Sequence, residues 1–325
     1  MITRRTLLTG TAAAGLRVGA GDLSVAQPFS GRPIKAILPY TASSPNDVIA
    51  RLIATALSVR LGQPVVIENR AGGGTAIGLK AVMGAAVDGT TLLFTNTPTH
   101  VIAHLVSKGF TYDPLKDFAP IVTVGRTSLV LVVPASLPAN SLQDLIAYAK
   151  AHPGELNVGF GQGTLPHLVS ETFKQATGIN IASIPYRGGA QAISDMLGGR
   201  IHMNFGAGAT LVPLIREGRI KALAATSPER DRDLPDVPTM IENGLPRLTT
   251  VTYYGFLGPA AMPPDVVVRI NGEVNECLKS AELRASVINI GFEPTGGSPQ
   301  DFAALIAEQL RHWAPIVKST GFQME

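Results

Sequence analysis

Four segments of the chain contain small residues where an apolar strand pattern gives way to a helical one, and all but the third also contain hydroxyl side chains: residues 41–46, 161–164, 188–189 and 206–210. Backbone N–H groups at a helix start have no partner within the helix, and the helix dipole adds positive potential there, so anions bind readily. Glycine lets a ligand approach the backbone, and Ser or Thr adds a neutral donor. Each segment alone also fits an ordinary capped turn. Together they favour a site for a small anion such as a carboxylate.

Motifs for covalent catalysis and for cofactors are missing from the sequence. There is no GxSxG for a nucleophile elbow and no Gly-Lys pair for a P-loop, and Gly72, Gly74 and Gly78 miss the dinucleotide spacing by one residue. A single cysteine excludes a disulfide framework. His100 and His104 have an i, i+4 spacing but lack a convincing third ligand, so we interpret them as an ordinary helix surface. We therefore predict no catalytic residues, no metal and no cofactor.

The elements that must position these segments alternate along most of the chain. Short β-branched runs predict strands at 34–40, 64–69, 90–95, 128–133, 156–160, 181–186, 201–205 and 220–226. Helical patterns lie between them, for example at 46–61 and at 141–151, where Ser141 and Asp144 have the spacing of a capping box. Apolar strands alternating with helices predict parallel sheets covered on both faces, the α/β class.

The last quarter of the chain has a different pattern. Residues 249–257 predict a strand, and two long helices follow at 265–279 and 299–317, with Cys277 and Trp313 on apolar stripes that we expect in the core.

One local design occurs twice. Pro39-Tyr40 and Pro185-Tyr186 each end a strand and lead through small residues into a helix. Two such units suggest two similar α/β lobes, with a ligand at the carboxyl ends of their strands.

Charge and the first residues indicate where the protein acts. The formal net charge is +3, but residues 1–26 hold three of the 27 basic residues and one of the 24 acidic residues, so the rest of the chain is close to neutral. Residues 1–26 also have the order of an export signal: Arg4-Arg5, an apolar run, and Ser24-Val25-Ala26 before the cleavage point. We expect a twin-arginine or Sec route and a protein outside the cytoplasm. Basic residues do not cluster with aromatic ones, which argues against nucleic-acid binding.

The mature chain resembles the Bug family, also called TctC, the extracytoplasmic solute receptors of tripartite tricarboxylate transporters. The resemblance is carried by Arg32-Pro33-Ile34-Lys35, by residues 61–72 (LGQPVVIENRAG), by residues 88–93 (DGTTLL), by residues 112–118 (YDPLKDF), by Pro185-Tyr186-Arg187-Gly188, and by residues 234–239 (LPDVPT). The combination is far more specific than any one of these segments.

The resemblance implies a periplasmic-binding-protein fold of the type II kind, in which two α/β lobes are joined by two crossing segments, here near 121–127 and 251–257. It implies lobes formed by residues 27–125 with 250–325 and by residues 126–249, after a signal peptide at 1–26. The ligand would be a small carboxylate bound between the lobes, and the partners would be the membrane subunits of a tripartite tricarboxylate transporter. The receptor would be a monomer in the periplasm. The site residues implied are Tyr40, Thr41, Ser43, Ser44, Asn46, Asp47, Gln162, Gly163, Thr164, His167, Arg187, Gly188 and Gly189.

The chain departs from the family pattern at the site itself. Ser43-Ser44 stands where Gly-Gly is usual, and Gly206 stands where many members have Asp, which removes a partner for a ligand amine. Ligand identity therefore cannot be copied from a relative. Three alternatives stay open: a receptor that serves signalling rather than uptake, a secreted hydrolase using Ser43 or Ser44, and an orphan receptor or scaffold.

Overall fold

The computed structural model describes residues 31–107, 109, 111–162, 164–186, 188–320 and 322. The predicted export signal at 1–26 and the predicted site residues Gly163 and Arg187 lie outside the described residues. Within the described part, no helix is both long enough and apolar enough to cross a membrane.

Strands and helices alternate as the sequence predicts. The strands are β1 (Ile34–Leu38), β2 (Val65–Asn69), β3 (Thr91–Asn96), β4 (Phe118–Pro134), β5 (Asn157–Gly161), β6 (Ala182–Tyr186), β7 (Asn204–Ala207), β8 (Ile220–Ala225), β9 (Val251–Pro259) and β10 (Glu293–Pro294). The helices are α1 (Pro45–Leu61), α2 (Ala76–Met83), α3 (Ala103–Val106), α4 (Leu142–Ala151), α5 (Leu165–Thr177), α6 (Gly189–Leu197), α7 (Gly208–Arg216), α8 (Pro264–Leu278), α9 (Ala281–Asn289) and α10 (Pro299–Thr320).

The first sheet has the strand order β10-β4-β9-β3-β1-β2, and β1, β2 and β3 are mutually parallel. Strand β9 is antiparallel to both β3 and β4. The inward side chains of β1 and β3 are fully buried, as expected for strands covered by helices on both faces. We call this part of the molecule the first lobe.

A second sheet forms around the far half of β4. That half pairs antiparallel with β7 on one side and β8 on the other, while β5 and β6 pair in parallel. A parallel bridge between Val158 and Met203 joins the β5-β6 pair to the start of β7. We call this part the second lobe.

The two lobes are connected through β4 and through the segment from β8 to β9. Thr226, which follows β8, is fully buried. Its Oγ1 accepts the N–H of Leu129 at 2.9 Å and donates to the carbonyl of Thr250 at 2.8 Å. One hydroxyl therefore ties the two crossing segments together where they pass between the lobes.

The C-terminal helix α10 also contacts both lobes. Near its start the ring of Phe302 packs edge-on against His100 of the first lobe, at 5.8 Å between centroids. Near its end the carbonyl of Ser319 accepts from Gln175 of α5 at 3.2 Å. Cys277 and Trp313 are buried, which confirms the prediction that both belong to the core.

Several predicted element boundaries are confirmed, two strand boundaries need correction, and one helix is added. Ser141 and Asp144 form the predicted capping box at the start of α4. Strand β4 begins ten residues before the predicted strand, at Phe118. Strand β7 begins at Asn204 rather than 201, because residues 201–203 contribute only an isolated bridge. A third helix, α9, separates the two long helices predicted after residue 264.

Candidate functional site

The site begins where β1 ends, in the loop that leads into α1. Ser44 is the N-cap of α1, and its Oγ accepts the N–H of Asp47 at 3.3 Å. Pro45 takes the first helical position, where its missing N–H costs nothing. Ser43 has a φ of 63°, a left-handed conformation that is uncommon for residues other than glycine. Asp47 stabilises it, since Oδ2 of Asp47 accepts the Ser43 N–H at 3.0 Å.

Asp47 is the centre of a polar cluster at the base of this loop. Its carboxylate accepts two hydrogen bonds from Arg51, at 2.9 and 3.0 Å, and one from Asn69 Nδ2 at 2.8 Å. Asn69 also donates to the carbonyl of Tyr40 at 3.0 Å. The charge of Asp47 is thus neutralised within the lobe, so this acid shapes the loop that would receive an anion without repelling it.

The same contacts hold the pKa of Asp47 far below its usual range. Hydrogen bonds from Arg51, above all, lower it from 3.8 to about 2, against the opposing effect of burial. Because the folded-state pKa is the lower one, the ionised carboxylate stabilises the fold above pH 4. That stability is lost as the pH falls through about 2.

We predict that Asp47 contributes about 2 kcal/mol to the free energy of unfolding at neutral pH, and that the contribution disappears between pH 4 and pH 2. Urea unfolding of the unmodified protein and of D47N across this range measures it. D265N, at an exposed acid in the first turn of α8, is the matched control. A parallel acid dependence in D47N and the unmodified protein would contradict the prediction.

A second polar cluster lies beside the first, at the end of β3. The Tyr40 hydroxyl donates to Asn96 Oδ1 at 3.1 Å and accepts from Thr99 Oγ1 at 2.9 Å. Asn96 Nδ2 donates to Asn46 Oδ1 at 2.8 Å. Burial raises the pKa of Tyr40, so this phenol stays protonated. The predicted residues Tyr40, Asn46 and Asp47 therefore share one polar surface at the carboxyl edge of the first sheet.

The predicted residues of the second lobe also come together. The N–H of Gln162, after β5, donates to the carbonyl of Tyr186 at the end of β6, at 2.9 Å. A Cβ placed on Gly161 would lie 3.7 Å from the Cα of Gly188. The starts of α5 and α6 are therefore neighbours. Thr164, Gln162 and Gly189 are exposed there.

His167 is held by aromatic packing. Its ring stacks on Phe160 at 4.1 Å between centroids and meets the edge of Phe322 at 4.8 Å. Burial lowers the pKa of His167, so the ring is neutral at physiological pH. Contact with a ligand stays a prediction for this residue.

The register of β4 relates the two groups of residues. Asn96, the last residue of β3, is paired with Tyr254, which is paired with Gly125 of β4. Four residues further along β4, Leu129 is paired with Ala207, the last residue of β7. At about 3.4 Å per residue, the ends of β3 and β7 are separated by roughly 14 Å along β4.

The strand directions decide what these ends face. Strands β3 and β4 are both antiparallel to β9, whereas β7 is antiparallel to β4. The carboxyl ends of β3 and β7 therefore point toward each other across the crossing strands. This is the position in which open α/β sheets bind ligands.

One interpretation of the histidine pair is wrong. His100 is buried rather than on a helix surface, and its Nδ1 lies 3.2 Å from Thr95 Oγ1. Burial lowers its pKa to about 4. His104 packs edge-on against Tyr112 at 5.4 Å. Among the described residues, no group of three or more His, Cys, Asp or Glu side chains is arranged to hold a metal ion.

Four residues of the site are absent from the predicted set: Arg51, Asn69, Asn96 and Thr99. Arg51 lies one turn after Asp47 on α1, a spacing that itself predicts an ion pair. Asn69 and Asn96 end parallel strands next to β1, and the rule that ligands bind at such ends would have found them. Thr99 follows in a turn of π-helix at Pro98–Ile102, an element that sequence patterns do not reveal.

The chain is similar to known proteins over most of its length. The family model described as "Tripartite tricarboxylate transporter family receptor" matches residues 49–322. Protein BugT of Bordetella pertussis is 35% identical over 302 residues, which cover 92% of this chain and 93% of BugT. Two solved structures from Rhodopseudomonas palustris are also similar. Rpa4515 with adipate is 34% identical with a TM-score of 0.76, covering 89% of this chain and 97% of that one. MatC with bound malate is 28% identical with a TM-score of 0.75, covering 88% and 99%.

Proposed function

Because the chain belongs to the receptor family of tripartite tricarboxylate transporters and is a two-lobed solute-binding protein, we propose that it captures a small carboxylate between its lobes and delivers it to membrane subunits of that transporter type. The observation that carries the proposal is the meeting of two donor-rich edges. The loop before α1 and the starts of α5 and α6 lie at strand ends that face each other across β4. Closure of the lobes would bring both sets of donors onto one ligand.

The electrostatics of the site support an anionic ligand. Asp47, the acid of the first loop, is paired with Arg51, and no charged side chain replaces it at the starts of α5 and α6 in the described residues. Backbone N–H groups and neutral hydroxyl or amide groups are left to bind the ligand. Gly206 itself carries no carboxylate for a ligand ammonium. The structural relatives described with malate and with adipate fit a dicarboxylate.

We also propose the boundaries of the lobes, the location of the receptor and its assembly state. Residues 27–125 with 250–325 would form the first lobe and residues 126–249 the second, and the receptor would act as a monomer in the periplasm after removal of residues 1–26. Catalysis by Ser44 is not part of the proposal, because the Ser44 hydroxyl accepts the Asp47 N–H as the helix cap. A hydrolase would also need a nearby carboxylate to orient a general base, and the carboxylate of Asp47 is bound by Arg51.

We predict that malate, succinate, glutarate or adipate binds in calorimetry and raises the unfolding temperature. At 100 times its dissociation constant, the ligand should add about 2.7 kcal/mol to the free energy of unfolding. Glucose, an amino acid and a divalent cation are the comparison ligands. Failure of all four carboxylates to bind would overturn the proposed function, whether or not a comparison ligand binds.

A further inference from the structure

The hydrogen bonds at the end of β3 form a chain with a defined direction. Its first donor is the backbone N–H of Thr99, which donates to Asn96 Oδ1 at 3.0 Å. A backbone N–H can only donate, so the atom of Asn96 that faces it must be the amide oxygen. The hydroxyls of Thr99 and Tyr40 lie at the same oxygen, at 2.9 and 3.1 Å.

The orientation of Asn96 then determines that of Asn46. With Oδ1 of Asn96 held by Thr99, its Nδ2 is the group that faces Asn46, and it donates to Asn46 Oδ1 at 2.8 Å. The amide nitrogen of Asn96 can only donate, so Asn46 must turn its amide oxygen toward Asn96. Asn96 is 3% exposed and Thr99 is fully buried, so water does not compete for these bonds.

The outward group of Asn46 is therefore its NH2. Asn46 is the second residue of α1 and is only partly buried. Among the described residues, the structure shows none that accepts a hydrogen bond from Asn46 Nδ2. This NH2 lies at the helix start, beside the N–H groups that the proposed function assigns to an anion.

We infer that Asn96 is a positioning residue that sets the polarity of the ligand site, by forcing Asn46 to present a donor rather than an acceptor. The inference rests on the proposed function, because it takes the ligand to bind at the start of α1. It adds a basis for selectivity: an outward NH2 binds carboxylate or hydroxyl oxygen atoms and gives no acceptor to a ligand ammonium. At the start of α1 it therefore favours the carboxylate of a ligand over its ammonium group.

N96D tests whether Asn96 orients Asn46, because Asp and Asn side chains have nearly the same shape. The carboxylate that N96D introduces can still accept from Thr99 and Tyr40, but it has no donor for Asn46, so Asn46 should rotate and turn its oxygen outward. Calorimetry uses whichever of malate, succinate, glutarate and adipate binds the unmodified protein most tightly. We expect it to bind N96D at least 10-fold more weakly.

The double variant separates this effect from the added charge. If Asn96 acts through Asn46, the affinity of N46A/N96D should lie within threefold of that of N46A. N96L, which adds no charge, should also weaken binding, and the weakening should again vanish in the N46A background. A loss of the same size with and without Asn46 would overturn the inference.

A second readout needs no ligand. In the NMR spectrum, the side-chain NH2 signal that is missing from N46A belongs to Asn46. Its protons should exchange rapidly with water in the unmodified protein and slowly in N96D, where they are bonded to the introduced carboxylate. Unchanged exchange in folded N96D would overturn the inference that Asn96 orients Asn46. If none of the four carboxylates binds the unmodified protein, the proposed function fails, and the exchange measurement still decides whether Asn96 orients Asn46.

Discussion

Gly255→Ala should lower the free energy of unfolding by about 1–3 kcal/mol, because the added methyl group has no space. Gly255 is buried in β9, between Thr95 of β3 and Thr123 of β4. A Cβ built at this position would lie 2.4 Å from the carbonyl oxygen of Val122 and 2.9 Å from the ring of Phe302. Both distances are well inside van der Waals contact.

The carbonyl of Val122 makes the cost unavoidable. It is a backbone atom of the long central strand, and the pairing of β4 with β9 shifts register on both sides of it. Moving this carbonyl to make room for a methyl group would disturb β4 where it leads into the second lobe. The Phe302 side chain could rotate, but the strand cannot.

Chemical denaturation of G255A against G272A measures the effect. Gly272 is exposed on α8 with nothing within 4 Å of an added Cβ, so G272A should be neutral or stabilising by up to about 1 kcal/mol. F302L in the G255A background removes the movable obstacle and should restore little. A loss below about 1 kcal/mol in G255A, or full rescue by F302L, would contradict the prediction.

The sequence predicts most strands to within two residues because each is a short apolar run bounded by turn residues. Strand β4 is different. Pro120 and Gly125 interrupt its first half, and the β-bulges that accommodate them depend on pairing with β9, which is far away in the chain. The sequence does not indicate helix α9 for a different reason: only Leu283 and Val287 of its residues are buried, so its apolar stripe is weak.

At the site, the sequence indicates the loops but not the side chains that hold them in place. Ser43, Ser44 and Gly188 are recognisable as small residues at helix starts. Which side chains support the loop at Ser43 and Ser44 depends on the neighbours of β1 in the sheet, so a role for Asn96 can be inferred only once β3 is known to lie beside β1. The burial of His100 likewise depends on α10, some 200 residues later in the chain.

Gly188→Asp should weaken carboxylate binding at least 100-fold and leave the unliganded protein as stable as before, or more stable. Gly188 is the N-cap of α6 with φ −166° and ψ 157°, an extended conformation open to any residue. A Cβ there would meet nothing within 4 Å. Asp is a better N-cap than Gly by a few tenths of a kcal/mol, because its carboxylate accepts the free N–H groups of the first turn.

Those N–H groups are the ones that the proposed function gives to the ligand, so a built-in carboxylate competes for them and repels a second anion. A loss of 100-fold corresponds to about 2.7 kcal/mol of binding free energy. G188N caps the helix without a charge and should show an intermediate loss, which separates competition for the N–H groups from repulsion. G272D adds the same charge on the outer face of α8 and should bind as the unmodified protein does. Calorimetry gives the affinities and urea unfolding the stabilities. A protein that gains or keeps stability while losing its ligand supports a ligand site at the start of α6, because a general loss of structure would lower both quantities together. Unchanged affinity in G188D would contradict the prediction.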